Sequence, residues 1–314
     1  MAVPPDDPRE REQAESLARV EGGDIPLGAE RRLAELRETA GAYTSDLSTA
    51  DFALCRQLGL RPVAQVMGSS IYQVGYQASR YGMGRGLWQY GSGMITELET
   101  LTEAWNEARG RALYRLSREA QEVGADAVVG VSVRSEAKNF GDASMSSGAI
   151  EYSVVGTAVR RERPGTNGAP ARGRRLVLTE LSVADYVKLV HAGMEPAGIA
   201  AWSSVFFATY GYATAMRAQS GFFGQGLESF ELREFTEAIY AAREQVMERL
   251  GGQARALEAS GIVGVRIGHQ MRRQSIGAAS QEGLLVTFHA IGTAINETAG
   301  ARVEAPKPIL DLTA

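Results

Sequence analysis

Side chains that could carry out catalysis or bind a metal ion are scarce in this sequence of 314 residues. It contains one cysteine, Cys55, and three histidines, His191, His269 and His289. A single thiol excludes a disulfide within the chain and any Cys-x-x-Cys metal site. All three histidines lie in the C-terminal half, so the N-terminal half has no imidazole base for a Ser/His/Asp triad. We therefore predict no catalytic residue, no metal ligand and no cofactor, and we expect that the protein is not an enzyme.

Each of these four residues has a structural interpretation, and some have a chemical alternative. Cys55 lies in a predicted short helix and is interpreted as a small buried hydrophobic side chain; a ring of Cys55 thiols from several subunits is the alternative. His269 and His289 fall on the two strands of a predicted hairpin, whose register decides whether they converge as ligands. His191 lies at the end of a predicted helix, where a cation complements the helix dipole.

Two further patterns could bind ions but have simpler explanations. Glutamates recur at metal-ligand spacing in the first turns of both predicted long helices, where acids also complement the helix dipole. They are Glu97, Glu99, Glu103, Glu231, Glu234 and Glu237. Gly82-Met-Gly-Arg-Gly86 superficially resembles a phosphate loop, but no Gly-Lys-Ser/Thr follows it. We assign a ligand to neither pattern.

Composition and charge narrow the class of protein further. The chain has a mass of 33.7 kDa, a formal charge of −4 and a pI near 5.6, with 44% hydrophobic and 22% charged residues. These values are typical of a globular protein and give no global basic field for nucleic acid. Residues 1–12 lack the apolar segment of a secretory signal, and the uncharged residues 196–216 are interrupted by Pro, Gly, Ser and Thr. We predict a cytoplasmic protein with no transmembrane segment and no nucleic-acid partner.

The sequence contains an internal duplication at an offset of 134 residues. Asp46-Leu-Ser-Thr-Ala-Asp-Phe52 reappears as Glu180-Leu-Ser-Val-Ala-Asp-Tyr186. Near the end of each copy Gly156-Thr-Ala158 matches Gly292-Thr-Ala294, where the offset has grown to 136. Agreement in one register over this length predicts two homologous units in one chain.

Each copy is predicted to fold as a short helix followed by a β-α-β-β unit. Ser48 and Ser182 are suited to cap the short helices, and Gly59 and Gly193 are suited to end them. Apolar residues then recur every three or four positions, which predicts long amphipathic helices. The predicted ranges are strands 61–73 and 195–207, loops 75–93 and 210–226, long helices 98–123 and 232–257, and hairpins 127–135 with 149–160 and 262–271 with 284–295. One long helix on a small antiparallel sheet is a two-layer α+β fold.

Three segments of the first copy resemble the YbjQ-like family, also called “putative heavy-metal-binding” domain proteins. They are Pro62–Tyr72, Gly124–Val131 and Gly156–Ala158. The resemblance covers most of the chain, in two tandem copies. It implies dodecin-subunit-like β-α-β-β domains and a homopentamer. The second copy departs from the motif at 260–265, so Asp126 has no acidic counterpart there.

The repeat and the resemblance divide the chain into five parts. We predict a charged, partly helical N-terminal segment (1–45), a first YbjQ-like domain (46–163), a basic linker (164–177), a second YbjQ-like domain (178–296) and a flexible tail (297–314). The linker is interpreted as a solvated connection, with contact to an anionic surface as the alternative. The tail carries Ile-Leu-Asp-Leu, which is typical of a peptide that docks on a protein partner or a neighbouring subunit; a frayed terminus is the alternative.

These observations predict a non-enzymatic assembly or scaffold protein that forms homo-oligomers. Small sheets expose their edges, and pairing between chains would cover them. With the homopentamer that the resemblance implies, we expect five chains in a ring of two stacked layers. The alternative is a metal- or small-ligand-binding protein with sites at subunit interfaces, where aromatic loops meet. The aromatic residues that would line such sites are Tyr72, Tyr76, Tyr81, Trp88, Tyr90, Trp202, Tyr210 and Tyr212.

Overall fold

Helices and mostly antiparallel strands make up the chain in a computed structural model that describes residues 7–38, 43–74, 95–139, 148–162, 175–220, 229–276 and 281–298. The elements are α1 (Pro8–Glu21), α2 (Leu27–Glu38), α3 (Thr49–Gln57), β1 (Leu60–Gln73), β2 (Ile95–Glu97), α4 (Glu99–Glu122), β3 (Ala127–Asn139), β4 (Gly148–Arg161), β5 (Val177–Leu178), α5 (Val183–His191), β6 (Met194–Ala208), α6 (Tyr212–Ser220), α7 (Arg233–Ala256), β7 (Gly261–Ile276) and β8 (Gln281–Glu297). The fold is α+β, with two tandem domains that repeat one order of elements. No helix in these ranges is long and apolar enough to cross a membrane.

Each domain has one four-stranded sheet, and the two domains exchange short strands. The strand order is β1-β4-β3-β5 in the first sheet and β2-β6-β8-β7 in the second. Both predicted hairpins form, β3 with β4 and β7 with β8. The fourth strands were not predicted: β5, which leads into the second domain, pairs with β3 of the first, and β2, from the first domain, pairs with β6 of the second.

The short helices begin and end at the residues that the sequence indicates. Ser48 Oγ accepts the backbone N–H of Asp51, and Ser182 Oγ accepts that of Asp185, both at 3.1 Å. The glycines that follow each helix, at 59 and 193, have positive φ angles of 63° and 74°, which glycine adopts without steric cost. The predicted capping of both copies is therefore confirmed.

The two long helices, α4 and α7, each have 24 residues and bury one apolar stripe. In the first domain the helix lies very close to β1. A Cβ atom at Gly68 would lie 1.9 Å from the carbonyl oxygen of Ala112 and 2.6 Å from the backbone nitrogen of Leu116. Only a residue without a side chain allows α4 to contact the strand at this point.

An N-terminal helical hairpin, formed by α1 and α2, packs on the C-terminal half of α4. Leu33 of α2 is fully buried there. The guanidinium of Arg115 in α4 donates hydrogen bonds to the carbonyl oxygens of Val20 (2.8 Å) and Asp24 (3.2 Å) and to that of Ser69 in β1 (2.6 Å). Arg115 therefore ties the hairpin to both layers of the first domain.

The structure corrects two predicted loops. Within 210–226, predicted as a loop, α6 forms; its first turn is held by the Glu234 carboxylate, which accepts the Gly211 N–H at 3.0 Å and the Thr214 hydroxyl at 2.7 Å. Residues 272–283, between the predicted strands 262–271 and 284–295, were interpreted as the hairpin loop. There β7 and β8 extend the hairpin, with Gln274 opposite Gly283. A contact with the distant Glu234 stabilises α6, and continued strand pairing extends the hairpin, in spite of a local composition rich in Gly, Ser and Ala.

Candidate assembly interface

The contact between the two domains, here called the joint, begins with helix α4, which reaches beyond its own sheet. Its C-terminal half packs on β1, and its N-terminal half packs on β6 of the second domain. Val205 and Phe207 of β6 belong to the same buried cluster as Trp105 and Ala108 of α4. The two domains therefore share a hydrophobic core across the joint.

Leu98 and the first turns of α4 cover the outer edge of β6 by hydrogen bonds to its backbone. The Leu98 N–H donates to the Val205 carbonyl at 2.8 Å, and the Val205 N–H donates to Thr102 Oγ1 at 3.0 Å. The Asn106 side chain makes the two hydrogen bonds that a neighbouring strand would make: its Oδ1 accepts the Ser203 N–H at 3.0 Å, and its Nδ2 donates to the Ser203 carbonyl at 2.8 Å. Edge groups that would otherwise lack partners are satisfied in this way.

Strand β2 continues this cover towards the end of β6. Its pairs are Ile95 with Ala208, Thr96 with Phe207 and Glu97 with Phe206. From 203 to 208, β6 thus has partners on both sides.

On the other side of the joint, the leader of the second domain (residues 177–181) adds to the outer edge of β3. The Thr179 N–H donates to the Val128 carbonyl, and the Thr179 carbonyl accepts the Val131 N–H, both at 3.0 Å. The Gly130 N–H donates to the Leu181 carbonyl at 3.0 Å. Gly130 has a φ of +64° at an irregularity of β3, a conformation that favours glycine and turns its N–H towards the leader.

The short helices complete the joint through a third contact. α5 of the second domain packs beside α3 of the first. Val183 and Tyr186 of α5 are buried in one cluster with Cys55, Leu60 and Val129 of the first domain. Cys55 is fully buried, as expected, and burial raises the pKa of its thiol to about 11. A thiol in this position is neither exposed for a ring of metal ligands nor ionised near neutral pH.

A polar cluster lies buried beneath the joint. Ser203 Oγ lies 2.8 Å from His289 Nδ1, 3.3 Å from the Tyr152 hydroxyl and 3.4 Å from Arg109 Nη1. Burial, together with the nearby Arg109 charge, lowers the pKa of His289 to about 4, so its imidazole is neutral. Burial also lowers the pKa of Arg109 and raises that of Tyr152. The guanidinium lies over the ring of Trp202, 5.8 Å from its centroid.

A cavity of about 570 Å³ opens beside this cluster, between α4, the end of β1 and Trp202. Tyr72 and Trp202, two of the aromatic residues singled out in the sequence, line it together with Arg109. Tyr210 instead packs on Phe235, with ring centroids 4.7 Å apart.

The remaining aromatic candidates lie elsewhere. Tyr212 begins α6 and is exposed. Tyr76, Tyr81, Trp88 and Tyr90 lie outside the described residues, as do Gly82–Gly86, most of the linker and the Ile-Leu-Asp-Leu tail. Of the predicted aromatic residues, Tyr72 and Trp202 therefore line one cavity within the chain, and both lie on strands.

The hairpin histidines do not converge. His289 lies opposite Gly268, whereas His269 lies opposite Phe288, so the two rings project from opposite faces of the sheet. His269 is exposed, and His191 lies in the last turn of α5. Among the described residues no three His, Cys, Asp or Glu side chains lie close enough to hold a metal ion.

Each surface that forms the joint has a counterpart in the other domain, and among the described residues nothing covers these counterparts. β1, the counterpart of β6, has β4 as its one strand neighbour in the described chain, and β7, the counterpart of β3, has β8. Ile71 is 64% exposed although its counterpart Val205 is fully buried. Val265 is 36% exposed, whereas its counterpart Val131 is 1% exposed. The hydrogen bonds that form the joint were not predicted from the sequence. One difference between the two copies marks their position, since Asn106 lies where the second copy has Tyr240.

Comparison with known proteins agrees with the sequence resemblance. A family model described as “Putative heavy-metal-binding” (YbjQ) matches residues 82–162 and 211–298, one region in each domain, which confirms the two tandem copies. Over 289 residues the chain is 31% identical to an “Encapsulin nanocompartment protein” of Mycobacterium tuberculosis, a match that covers 91% of this chain and 97% of that protein.

Two shorter matches are to proteins described as UPF0145. The chain is 42% identical over 64 residues to a “UPF0145 protein” of Thermosipho africanus and 39% identical over 67 residues to one of Thermotoga maritima. These matches cover 20% and 21% of this chain, and about half of each relative (53% and 57%). No solved structure matches the chain significantly.

Proposed function

The chain belongs to the YbjQ family described as “Putative heavy-metal-binding”, and from this membership we propose that it is a non-enzymatic protein that assembles with copies of itself. One observation carries the proposal: counterparts of the surfaces that join the two domains are left uncovered by the described part of the chain. Open strand edges with apolar side chains favour association. The relative named as an encapsulin nanocompartment protein supports a role in assembly.

The proposed assembly is a homopentamer. The joint uses different surfaces on its two sides, and repetition of such a heterologous contact closes a ring when the rotation fits. Five chains then contribute ten domains, and the two kinds of domain alternate around one ring. This order replaces the stacked layers expected from the sequence, because β2 and β5 link the two domains of one chain edge to edge.

The absence of an enzymatic role is part of the proposal. His289 is neutral and buried, and its Nδ1 is engaged by Ser203. Cys55 is inaccessible. In the described ranges the side chains do not fit the heavy metal of the family description, because the one thiol is isolated and no ligand cluster forms. We place the assembly in the cytoplasm, where a lone thiol stays reduced.

Light scattering coupled to gel filtration tests the assembly. The expected mass is five times the 33.7 kDa of one chain. A monodisperse monomer at micromolar concentration would overturn the proposal, and another closed oligomer would overturn only its pentameric part.

A second candidate function is the binding of a small anionic ligand in the cavity at the joint. Arg109 carries a buried charge whose hydrogen-bond partners are the neutral hydroxyls of Ser203 and Tyr152, and the indole N–H of Trp202 is buried without an acceptor in the described part of the chain. The buried donors and the Arg109 charge, on which no carboxylate of the described residues acts, favour an anion, whereas Glu103 and Glu107 on the cavity lining oppose it.

Calorimetric titration with citrate and with inorganic phosphate tests this candidate. Saturable heat that disappears in Arg109→Met is expected, with Arg111→Met as the control, because Arg111 already has Glu107 at 2.8 Å. Absence of heat with both anions would remove the candidate.

A further inference from the structure

We infer that one chain docks on the next in the manner in which its own two domains are joined, with residues 43–47 of the second chain added to β7 of the first and with the start of α7 covering β1. The inference rests on the proposed self-assembly and names its partner surface, which is a second copy of this chain. It follows from applying the repeat offset of 134 residues to each contact of the joint.

The leader of the first domain (43–47) is the counterpart of the leader at 177–181. Each leader is anchored to its own domain in the same way: Thr179 is hydrogen-bonded to Thr293, and Ser45 is hydrogen-bonded to Thr157, which is the counterpart of Thr293. The outward side of the leader at 177–181 pairs with β3. By the same geometry, the outward side of residues 43–47 is directed to the equivalent edge of a second molecule.

The outer edge of β7 is built to receive that leader. Gly264 has a φ of +66° at an irregularity of the strand, as Gly130 has in β3. The offset then specifies the register: the Ser45 N–H donates to the Ile262 carbonyl, the Val265 N–H donates to the Ser45 carbonyl, and the Gly264 N–H donates to the Leu47 carbonyl. Addition of an extended segment to an open edge is a common mode of recognition.

Exposure of apolar side chains agrees with this placement. Phe52 of α3 is 41% exposed, while its counterpart Tyr186 of α5 is 6% exposed because it packs in the joint. With residues 43–47 on β7, α3 of the second chain lies beside α5 of the first. Phe52 is then buried in the position that Tyr186 occupies in the joint.

The start of α7 matches the uncovered edge of β1. Leu232 and Thr236 stand where Leu98 and Thr102 stand in α4. The offset predicts that the Leu232 N–H donates to the Ile71 carbonyl and that the Ile71 N–H donates to Thr236 Oγ1. It also places residues 229–231 as a short strand beside 72–74, as β2 lies beside 206–208.

The side chain of Asn106 has no equivalent in α7, and the structure accounts for the carbonyl that such a side chain would contact. Tyr240 replaces Asn106, the residue that pairs with the Ser203 backbone. In β1 the equivalent carbonyl, that of Ser69, already accepts from Arg115 at 2.6 Å. An Asn donor is not required there, and the exposed Tyr240 ring supplies apolar area instead.

Both contacts run in the same direction along the chain. The second domain of one molecule supplies the β7 edge and the start of α7, and the first domain of the next supplies the leader and the β1 edge. One neighbour therefore satisfies both sets of contacts, and each molecule presents one surface of each kind.

Disulfide trapping tests the register. In a Cys55→Ala background, Phe230→Cys with Gln73→Cys places two thiols at the counterpart of the Thr96–Phe207 cross-strand pair, a separation that a disulfide spans. Mild oxidation is expected to give a ladder of linked chains on a denaturing gel. Phe230→Cys with Arg61→Cys, at the far end of β1, is the out-of-register control and is expected to stay single-chain.

A surface substitution gives an independent readout. Ile71→Lys is expected to weaken assembly at least ~10-fold, whereas Tyr114→Lys, on an exposed part of α4 outside the mapped contact, leaves the mass unchanged. An oligomer that shows no linked chains and is insensitive to Ile71→Lys overturns this docking mode but leaves self-assembly intact. A monomeric wild-type chain overturns both.

Discussion

Replacement of Asn106 by Ala should reveal how much the joint contributes to folding. The side chain satisfies both backbone groups of Ser203, which is almost completely buried. Each buried group left without a partner costs about 1–3 kcal/mol. Since Asn106 borders the cavity, water can replace part of the loss, so we expect a decrease in the free energy of unfolding of about 2–4 kcal/mol.

Urea unfolding in an Ile71→Lys background, at a concentration where light scattering shows a monomer, measures this decrease by tryptophan fluorescence. Trp105 and Trp202 both lie at the joint and report on it directly. Tyr240→Ala is the matched control: it alters the counterpart position, which is exposed in one chain, and should change stability by less than about 0.5 kcal/mol.

A conservative variant separates the two hydrogen bonds. Asn106→Asp keeps an acceptor for the Ser203 N–H but places a carboxylate oxygen where Nδ2 donated to the Ser203 carbonyl. It should therefore destabilise at least as much as Asn106→Ala at pH 7. If both variants unfold within about 0.5 kcal/mol of the parent, the reasoning that α4 serves as the missing strand of the second sheet is wrong.

Three other substitutions or conditions test further features. Gly68→Ala should lower the free energy of unfolding by about 3 kcal/mol or more, because its Cβ would overlap the backbone of Ala112. Gly110→Ala, whose Cβ meets nothing within 4 Å, should stabilise α4 by about 1 kcal/mol, and urea unfolding measures both changes. The pKa of His289 is about 4 in the folded chain and near 6.5 in the unfolded chain, so between these values the unfolded chain binds the additional proton. The contribution of neutral His289 to the free energy of unfolding is therefore fully present above about pH 6.5. It falls by about 3 kcal/mol as the pH drops towards 4. His289→Gln should flatten that part of the stability–pH curve, and an unchanged slope would contradict the assignment. The Cys55 thiol, with its pKa raised from 9 to about 11, should react with a thiol reagent at pH 8 at least ~100-fold more slowly in the folded than in the unfolded chain; equal rates would show that the site is open.

The elements that could be predicted from the sequence are those whose signals are local. Ser48 and Ser182 cap helices through atoms three residues away, and the apolar spacing of α4 and α7 reports burial on one face. The duplication added a check, because each prediction had to hold in both copies.

The joint could not be predicted because its contacts link distant residues. β5 consists of two residues, Val177 and Leu178, and β2 of three, and no strand signal is detectable over such lengths. Asn106 resembles any polar residue on a solvated helix face until β6 lies beside it. The register that separates His269 from His289 likewise exists only once the hairpin has paired.

The α1–α2 hairpin has one further consequence. It is seated on α4 through Arg115 and Leu33, and within the described ranges α7 has no such cover. In a ring of alternating domains the hairpin is therefore present on every second domain. Around such a ring the hairpins repeat half as many times as the domains that carry them. Tandem duplication thus lets two homologous domains carry different attachments at fixed spacing, which separate single-domain subunits, placed at random, could not maintain.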